Sequence, residues 1–294
     1  MLKNSDIIRK AAIETGTLSS GGLLNPEQAR KFIRQTFEVT NLSPLVRHEM
    51  RTAKTGEIDK IGIASRILRK KTENTDDGYR ADVKTSQIEY AATAVRLPWE
   101  ITEETLRENI EGQSFEQAVT DLMTKQLGVD LEDLYLNGDE ETEAADTDYD
   151  FFKINDGWIK QIEDGGHVYD AAADPSMSLD LFYKALGSIP NKYNNGKLRW
   201  LMSPRRAQEW ELFLLNKIVN AGGAVPESIY TAPAKIPVVE CPSMADDKII
   251  LTDPKNLIVV NTYDTKIRKT VEGKEAIMMD KRFYAVHLDF DPII

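Results

Sequence analysis

The side chains of this chain that are best suited to chemistry are acidic, and three of them alternate in one short segment. Asp146, Asp148 and Asp150 imitate the start of a calcium-binding loop, in which carboxylates supply oxygen ligands. Phe151 stands where that loop requires its turn glycine, and Gly157 replaces the bidentate glutamate. We therefore interpret this segment as a solvated acidic loop or a subunit contact.

The other chemically capable side chains lack partners in the sequence. His48, His167 and His287 lie far apart and show no metal-ligand spacing. Ser203 precedes a proline and a helical apolar stripe, which is typical of a helix N-cap and not of a nucleophile. Cys241, the single cysteine, is predicted to be a buried and inert thiol. The sequence thus predicts no catalytic residue, no metal site and no cofactor.

Composition limits the class of protein. The 294 residues, 41% of them apolar, can bury the core of one large domain or of two lobes. The formal charge of −11 argues against nucleic acid as a binding partner, because neutralising its phosphates needs clustered Lys and Arg. No apolar run approaches a membrane span, and the start of the chain lacks the apolar stretch of a secretory signal. We therefore expect no membrane association, and synthesis in the cytoplasm.

Residues 52–96 predict a long, charged β-hairpin. Apolar alternation marks an outgoing strand near Ile58 and a return strand near Ile88 and Tyr90. The outgoing arm carries basic residues with no acid among them: Lys60, Arg66, Arg69, Lys70 and Lys71. A hairpin this long and this polar at its tip is not expected to be buried in its own domain. It is either a solvated hairpin or a clamp on a neighbouring subunit.

Apolar periodicity predicts a long helix at 114–136, and the end of this helix and the segment after it are rich in acids. From Asp130 to Asp150 the chain carries many acids and no Lys or Arg. A basic protrusion and an acidic stretch on one chain are complementary, which suits head-to-tail contacts between copies. We therefore predict a subunit interface in which the five basic hairpin residues meet the following acids of another copy: Asp139, Glu140, Glu141 and Glu143.

The second half of the chain alternates helices and strands, which indicates an α+β fold. Helices are predicted at 181–189 and after Ser203, and a last antiparallel strand pair is predicted at 266–271 and 281–290 with a turn near residue 273.

This order of segments resembles the major capsid protein of tailed bacteriophages, whose fold encapsulins share. The local motifs that carry the resemblance are 21–27 (GGLLNPE), 97–102 (LPWEIT), 200–204 (WLMSP), 236–239 (IPVV) and 251–260 (LTDPKNLIVV). The resemblance covers nearly the whole chain.

The resemblance implies a domain plan and a function. The plan comprises an N-terminal arm (1–51), an extended loop (52–96), a peripheral domain (97–140 with 255–294, including the spine helix 114–136) and an axial domain (141–254). The implied function is a capsid protein, not an enzyme, that assembles into hexamers and pentamers of an icosahedral shell. That shell encloses packaged double-stranded DNA without sequence-specific binding.

The same resemblance implies partners and a location. Besides copies of itself, the chain would meet a scaffolding protein and a portal, and it would lie in the virion after assembly in the host cytoplasm. Some relatives join a lysine of the extended loop to an asparagine of a neighbour, for which Lys70 or Lys71 could supply the amine.

Two other functions remain open at the level of sequence. An encapsulin-type shell would enclose cargo enzymes in place of DNA. An α/β enzyme would use the acidic loop around Asp148 as a metal site.

Overall fold

The computed structural model describes residues 22–23, 40–63, 66–68, 70, 73, 78–80, 83–104, 114–172, 176–221, 232–262 and 266–294. The predicted N-terminal helices lie outside the described residues. Most of the short helix predicted at 103–111 does so as well.

The described residues form strands and helices in an α+β arrangement. The strands are β1 (Gly22–Leu23), β2 (Arg47–Arg51), β3 (Thr55–Gly62), β4 (Lys84–Ala91), β5 (Thr93–Thr102), β6 (Arg199–Met202), β7 (Val238–Glu240), β8 (Ile250–Thr252), β9 (Ile258–Thr262), β10 (Lys266–Thr270) and β11 (Lys281–Ile293). The helices are α1 (Ser114–Asn137), α2 (Tyr149–Phe152), α3 (Trp158–Asp164), α4 (Leu179–Ser188), α5 (Pro204–Ala221) and α6 (Lys274–Met279). Short 3₁₀ turns lie at Asn191–Tyr193, Pro233–Lys235 and Pro254–Asn256.

The main sheet is organised around β11. Its order is β1-β10-β11-β9-β2, and β5 also pairs with β11. Alternate residues of β11 are buried, as the period of two in its apolar residues predicts. Helix α1 covers this buried face, where Tyr135 meets the ring of Phe290 edge-on at a centroid distance of 5.2 Å. The long helix and the long strand therefore share one core.

A second core lies beside the three-stranded sheet β7-β6-β8. Phe182 of α4 sits between the rings of Trp200 and Trp210, with centroid distances of 4.9 and 5.0 Å. Helices α4 and α5, which contribute Phe182 and Trp210, each begin with a side-chain cap. Ser178 Oγ accepts from Leu181 N–H, and Ser203 Oγ accepts from Arg206 N–H, each at 3.2 Å. The predicted N-cap role of Ser203 is confirmed.

The connection between β10 and β11 differs from the sequence prediction. A simple turn near residue 273 was expected, but the segment contains helix α6. Lys, Glu, Ala and Met dominate Lys274–Met279, and these are strong helix formers. Asp280 ends the helix in a left-handed conformation at φ 52°. No described helix combines the length and apolarity needed to cross a bilayer.

Candidate subunit interface

The base of the hairpin is packed into the main body. Strands β3 and β4 pair antiparallel, as the alternation of apolar residues predicts. Ile58 and Tyr90 are buried in a small cluster with Ile258, Val260 and Ile293 of the main sheet. These contacts hold the proximal part of both strands against β9 and β11.

Polar contacts add to this anchor. The Asp291 carboxylate accepts a hydrogen bond from Ala91 N–H at 2.7 Å, where β4 ends. Lys54, just before β3, lies 2.9 Å from the carboxylate of Asp289. After Ala92 the chain enters β5, and Thr93 already pairs with Phe290 of β11. The two-stranded part of the predicted loop therefore ends at Ala91.

The distal part of the hairpin carries exposed apolar side chains. Ile61 is 76% exposed and Leu68 is 94% exposed. Ile63, Ile67 and Val83 are exposed as well. Several apolar side chains on one extended element favour contact with another molecule, because a monomer gains nothing by leaving them in water.

The predicted basic residues lie on this distal part. Lys60, Arg66 and Lys70 are exposed, whereas Arg69 and Lys71 lie outside the described residues. Within the part of the chain that the structure describes, none of the three forms an ion pair. Their charges are available to a neighbour.

The predicted acids Asp139, Glu140, Glu141 and Glu143 lie in the loop that follows α1. Two of them already have a cation: Lys160 Nζ lies 2.6 Å from Glu141 Oε2 and 3.7 Å from Asp139 Oδ1. Glu140 and Glu143 are exposed. The charges of Asp139 and Glu141 are thus balanced by Lys160 of the same chain, whereas the carboxylates of Glu140 and Glu143 face solvent.

Among the acids between residues 130 and 150, Glu132 is buried in the protein. Glu132 is 2% exposed, and its carboxylate accepts from Leu42 N–H at 3.4 Å. Burial raises the pKa of Glu132, although the hydrogen bond from Leu42 N–H opposes that rise. Glu132 therefore ties α1 to the segment before β2. The acidic stretch from Asp130 to Asp150 is therefore not exposed throughout.

The loop after α1 is pinned by a close crossing of two backbone segments. Gly157 N–H donates to Gly138 O at 2.8 Å. A Cβ at Gly138 would lie 2.3 Å from the carbonyl oxygen of Asn155, so only glycine fits there. This crossing brings the two ends of the loop together, and Glu140 N–H donates to Asp156 Oδ1 at 2.8 Å.

A cleft of about 570 Å³ separates this pinned loop from the base of the hairpin. Its acidic lining residues come from the hairpin, the loop and β11: Glu57, Glu89, Glu140, Asp156 and Asp291. The sequence interpretation identified Glu140 but missed the other four. Acids that come from four separate stretches of the chain carry no common signal in the sequence.

The remaining candidates do not form a reactive site. Asp148 adopts a left-handed conformation immediately before α2, and Cys241 is fully buried, with burial raising its thiol pKa. His48 Nε2 lies 2.8 Å from Ser43 O, a contact within a turn. Among the described residues, no group of three or more His, Cys, Asp or Glu side chains could hold a metal ion.

The architecture matches solved structures from tailed phages. The fold superposes on a chain of the satellite phage P4 procapsid, which includes the size determination protein, with a TM-score of 0.64 and 14% identity. That match covers 99% of this chain and 92% of the other. A chain of Microbacterium phage Oxtober96 gives a TM-score of 0.56 at 10% identity, covering 100% and 93%. This chain has the major capsid fold of tailed bacteriophages.

A sequence relative agrees with the fold. A protein of Bacillus subtilis (strain 168), named as a prophage capsid protein, YqbE, is 29% identical over 275 residues. The match covers 88% of this chain and 86% of that protein. No family model matches the chain. The chain therefore has the fold of solved phage capsid chains and resembles a prophage capsid protein in sequence.

Proposed function

We propose that this chain is the major capsid protein of a tailed phage or prophage. Copies of it assemble as hexamers and pentamers into an icosahedral shell. The role is structural and not enzymatic, and the protein resides in the capsid of the virion. The fold and the capsid relative support this function over an encapsulin-type compartment.

The observation that carries the proposal is the hairpin. Its base is fastened to the main sheet through Ile58, Tyr90 and Asp291, while its distal part leaves Ile61 and Leu68 in water. An element that is firmly based but carries apolar side chains outward is suited to lie across another copy. A compact body without it would offer each neighbour less contact area.

The domain plan and the partners complete the proposal. Residues 1–51 form the N-terminal arm, 52–96 the extended loop, 97–140 with 255–294 the peripheral domain, and 141–254 the axial domain. The shell encloses double-stranded DNA without reading its sequence, which the charge of −11 supports because an acidic wall does not adhere to a polyanion. A scaffolding protein and a portal take part in assembly.

The contacts between copies are determined by complementary charges. The basic hairpin residues, of which Lys60, Arg66 and Lys70 are exposed, meet acidic side chains of a neighbour. Arg69 and Lys71 belong to the same proposed interface.

Negative-stain electron microscopy of the purified chain tests the proposal. Closed shells of uniform diameter are expected once the protein is concentrated or mixed with its scaffolding partner. Nuclease-protected DNA in particles from the native source is expected for a phage head, whereas protected enzymes would favour the compartment. A chain that stays monomeric under every assembly condition would contradict the proposal.

A further inference from the structure

The cleft at the hairpin base carries a charge that the described part of the chain does not balance. Five acids line it, and no Lys or Arg is among its described lining residues. Glu57 and Glu89 stand directly opposite each other in the β3–β4 register. Like charges in that position destabilise a strand pair unless a cation lies between or beside them.

The pKa of Asp291 reflects the same excess of negative charge in the cleft. Its pKa is raised to about 6, chiefly by burial and also by the charges of Glu140 and Asp156, against the hydrogen bond from Ala91 N–H. The hairpin, the loop after α1 and β11 therefore each bring negative charge to one place.

An unpartnered amide lines the same cleft. Asn155 is 3% exposed, and neither its Nδ2 nor its Oδ1 has a hydrogen-bond partner. Buried side-chain amides are nearly always hydrogen-bonded, because an unsatisfied one costs about 1–3 kcal/mol. Unbalanced carboxylates beside an unsatisfied amide describe a site for a cationic hydrogen-bond donor.

The nearby cations of the chain are already engaged. Lys160 contacts Glu141, and Lys54 contacts Asp289. Arg66 and Lys70 lie beyond the outer end of β3, and Lys60 lies three residues from Glu57, on the opposite face of the strand. The eight paired residues of β3 span about 25 Å, so a hairpin tip cannot bend back to its own base without breaking the strand pair.

We propose that this cleft is the docking site for the basic hairpin segment of a second copy. The inference rests on the proposed function, because it requires the chain to assemble. It replaces a general acidic surface by one defined acceptor, formed around Glu140, Asn155 and Asp291. Tip-to-base contact is head-to-tail, and head-to-tail contacts close into rings when the rotation between copies is fixed.

Charge exchange tests this docking. Glu140→Lys and Lys70→Glu should each raise the concentration needed for assembly about tenfold. The double variant should recover to within about threefold of the unmodified protein, because the exchanged charges at positions 70 and 140 then attract each other. Glu211→Lys is the matched control: it makes the same charge change at an exposed residue of α5, outside the cleft lining, and should assemble normally.

Cross-linking between copies gives an independent measurement. Chains carrying Lys70→Cys are mixed with chains carrying Glu140→Cys, assembled, and treated with a short bismaleimide. A covalent dimer is expected from this mixture, but not when Glu211→Cys on α5 replaces Glu140→Cys. The native Cys241 is fully buried and should not react.

The outcomes separate the two proposals. If the unmodified chain forms no shells, the proposed function fails. If shells form but Glu140→Lys assembles like the Glu211→Lys control and no covalent dimer between positions 70 and 140 appears, the docking site is wrong and the capsid function stands. Circular dichroism should show that Glu140→Lys melts no lower than the unmodified chain, because residue 140 is exposed and the change removes its repulsion of Asp291.

Discussion

The hydroxyl of Tyr284 in β11 donates a hydrogen bond of 2.6 Å to the carboxylate of Glu116 in the first turn of α1. The same carboxylate pairs with Lys269 and lies 3.4 Å from Arg282, whose side chain is 2% exposed. Arg282 also contacts Glu103 at 2.9 Å. This network fastens the beginning of the spine helix to two strands of the main sheet.

Removing the Glu116 carboxylate should destabilise the fold strongly. Glu116→Ala leaves buried Arg282 with Glu103 as its remaining carboxylate partner within the described residues, so the expected loss is that of charge-assisted hydrogen bonds, about 1.5–3 kcal/mol. Tyr284→Phe removes one neutral donor and should cost about 1 kcal/mol. Urea unfolding of both variants measures the two values. Equal small losses would show that the network does not support α1.

Glu116 should also make the protein sensitive to acid. Burial alone would raise its pKa, but hydrogen bonds from Lys269 and Tyr284 and the charges of Lys269 and Arg282 outweigh it, so the pKa is lowered. A lowered carboxylate pKa contributes stability above the unfolded value, about 4.3, and that stability is lost as pH falls through the folded value. In Glu116→Gln the free energy of unfolding should therefore change less between pH 5 and pH 3. An unchanged slope would contradict this assignment.

Asp291 should act in the opposite direction. Its pKa is raised to about 6, so the folded chain binds its proton more tightly than the unfolded chain does. Stability should therefore fall as pH rises from about 4 to about 6. The facing charges are the carboxylates of Glu140 and Asp156, with Glu57 and Glu89 across the cleft and Lys54 held at Asp289.

Asp291→Asn tests this direction because asparagine keeps an acceptor for Ala91 N–H. The variant should be more stable than the unmodified chain at pH 7 and similar to it at pH 4. Equilibrium unfolding of the unassembled subunit at both values decides the matter. If the docking proposal holds, the same variant should assemble less well, since it removes charge from the acceptor. A variant that is less stable at pH 7 would overturn the assignment.

How far the sequence predicts this fold depends on the range of the interactions involved. Ile58 opposite Ile88 and the stripe around Leu131 follow from local periodicity, so the hairpin and α1 were predicted correctly. The burial of Glu132 was missed, although it lies three residues before buried Tyr135, on the stripe that faces the core. Helical spacing alone could have revealed it.

The cleft could not be predicted in this way. Glu57, Glu140 and Asp291 come together because Asp291 contacts the backbone of the hairpin and Gly138 crosses Gly157. Asp291 and Ala91 are 200 residues apart in the sequence. The crossing of Gly138 and Gly157 follows no periodic pattern of residues. A single sequence contains no record of such contacts.

Glu132 yields a prediction with a clear control. Glu132→Ala leaves Leu42 N–H buried without its recorded acceptor, so a loss of about 1–3 kcal/mol is expected. Glu132→Gln keeps an acceptor and should lose less. Glu143→Ala, an exposed acid of the following loop, should stay within about 0.5 kcal/mol. Urea midpoints of the three variants provide the comparison, and a Glu132→Ala midpoint equal to that of Glu143→Ala would contradict the buried role.

The last prediction concerns how the hairpin is held. Tyr90 packs over Gly56, its register partner, and a Cβ at Gly56 would lie 2.7 Å from the Tyr90 hydroxyl oxygen and 2.9 Å from the ring carbon that bears it. Gly56→Ala must therefore displace a buried ring, which typically costs about 1–3 kcal/mol. Gly62→Ala in the same strand meets nothing within 4 Å. That control should be neutral or slightly stabilising, because alanine restricts the unfolded chain more than glycine does.

Hydrogen exchange at the amides of Ile58 and Ile88 measures the effect where it should occur. Gly56→Ala should accelerate exchange in β3 and β4 while leaving α5 unchanged, because the second core does not contact the hairpin base. Since the base positions the distal side chains, the same variant should also assemble poorly. Faster exchange in Gly62→Ala than in Gly56→Ala would mean that packing of Tyr90 on Gly56 does not anchor the hairpin.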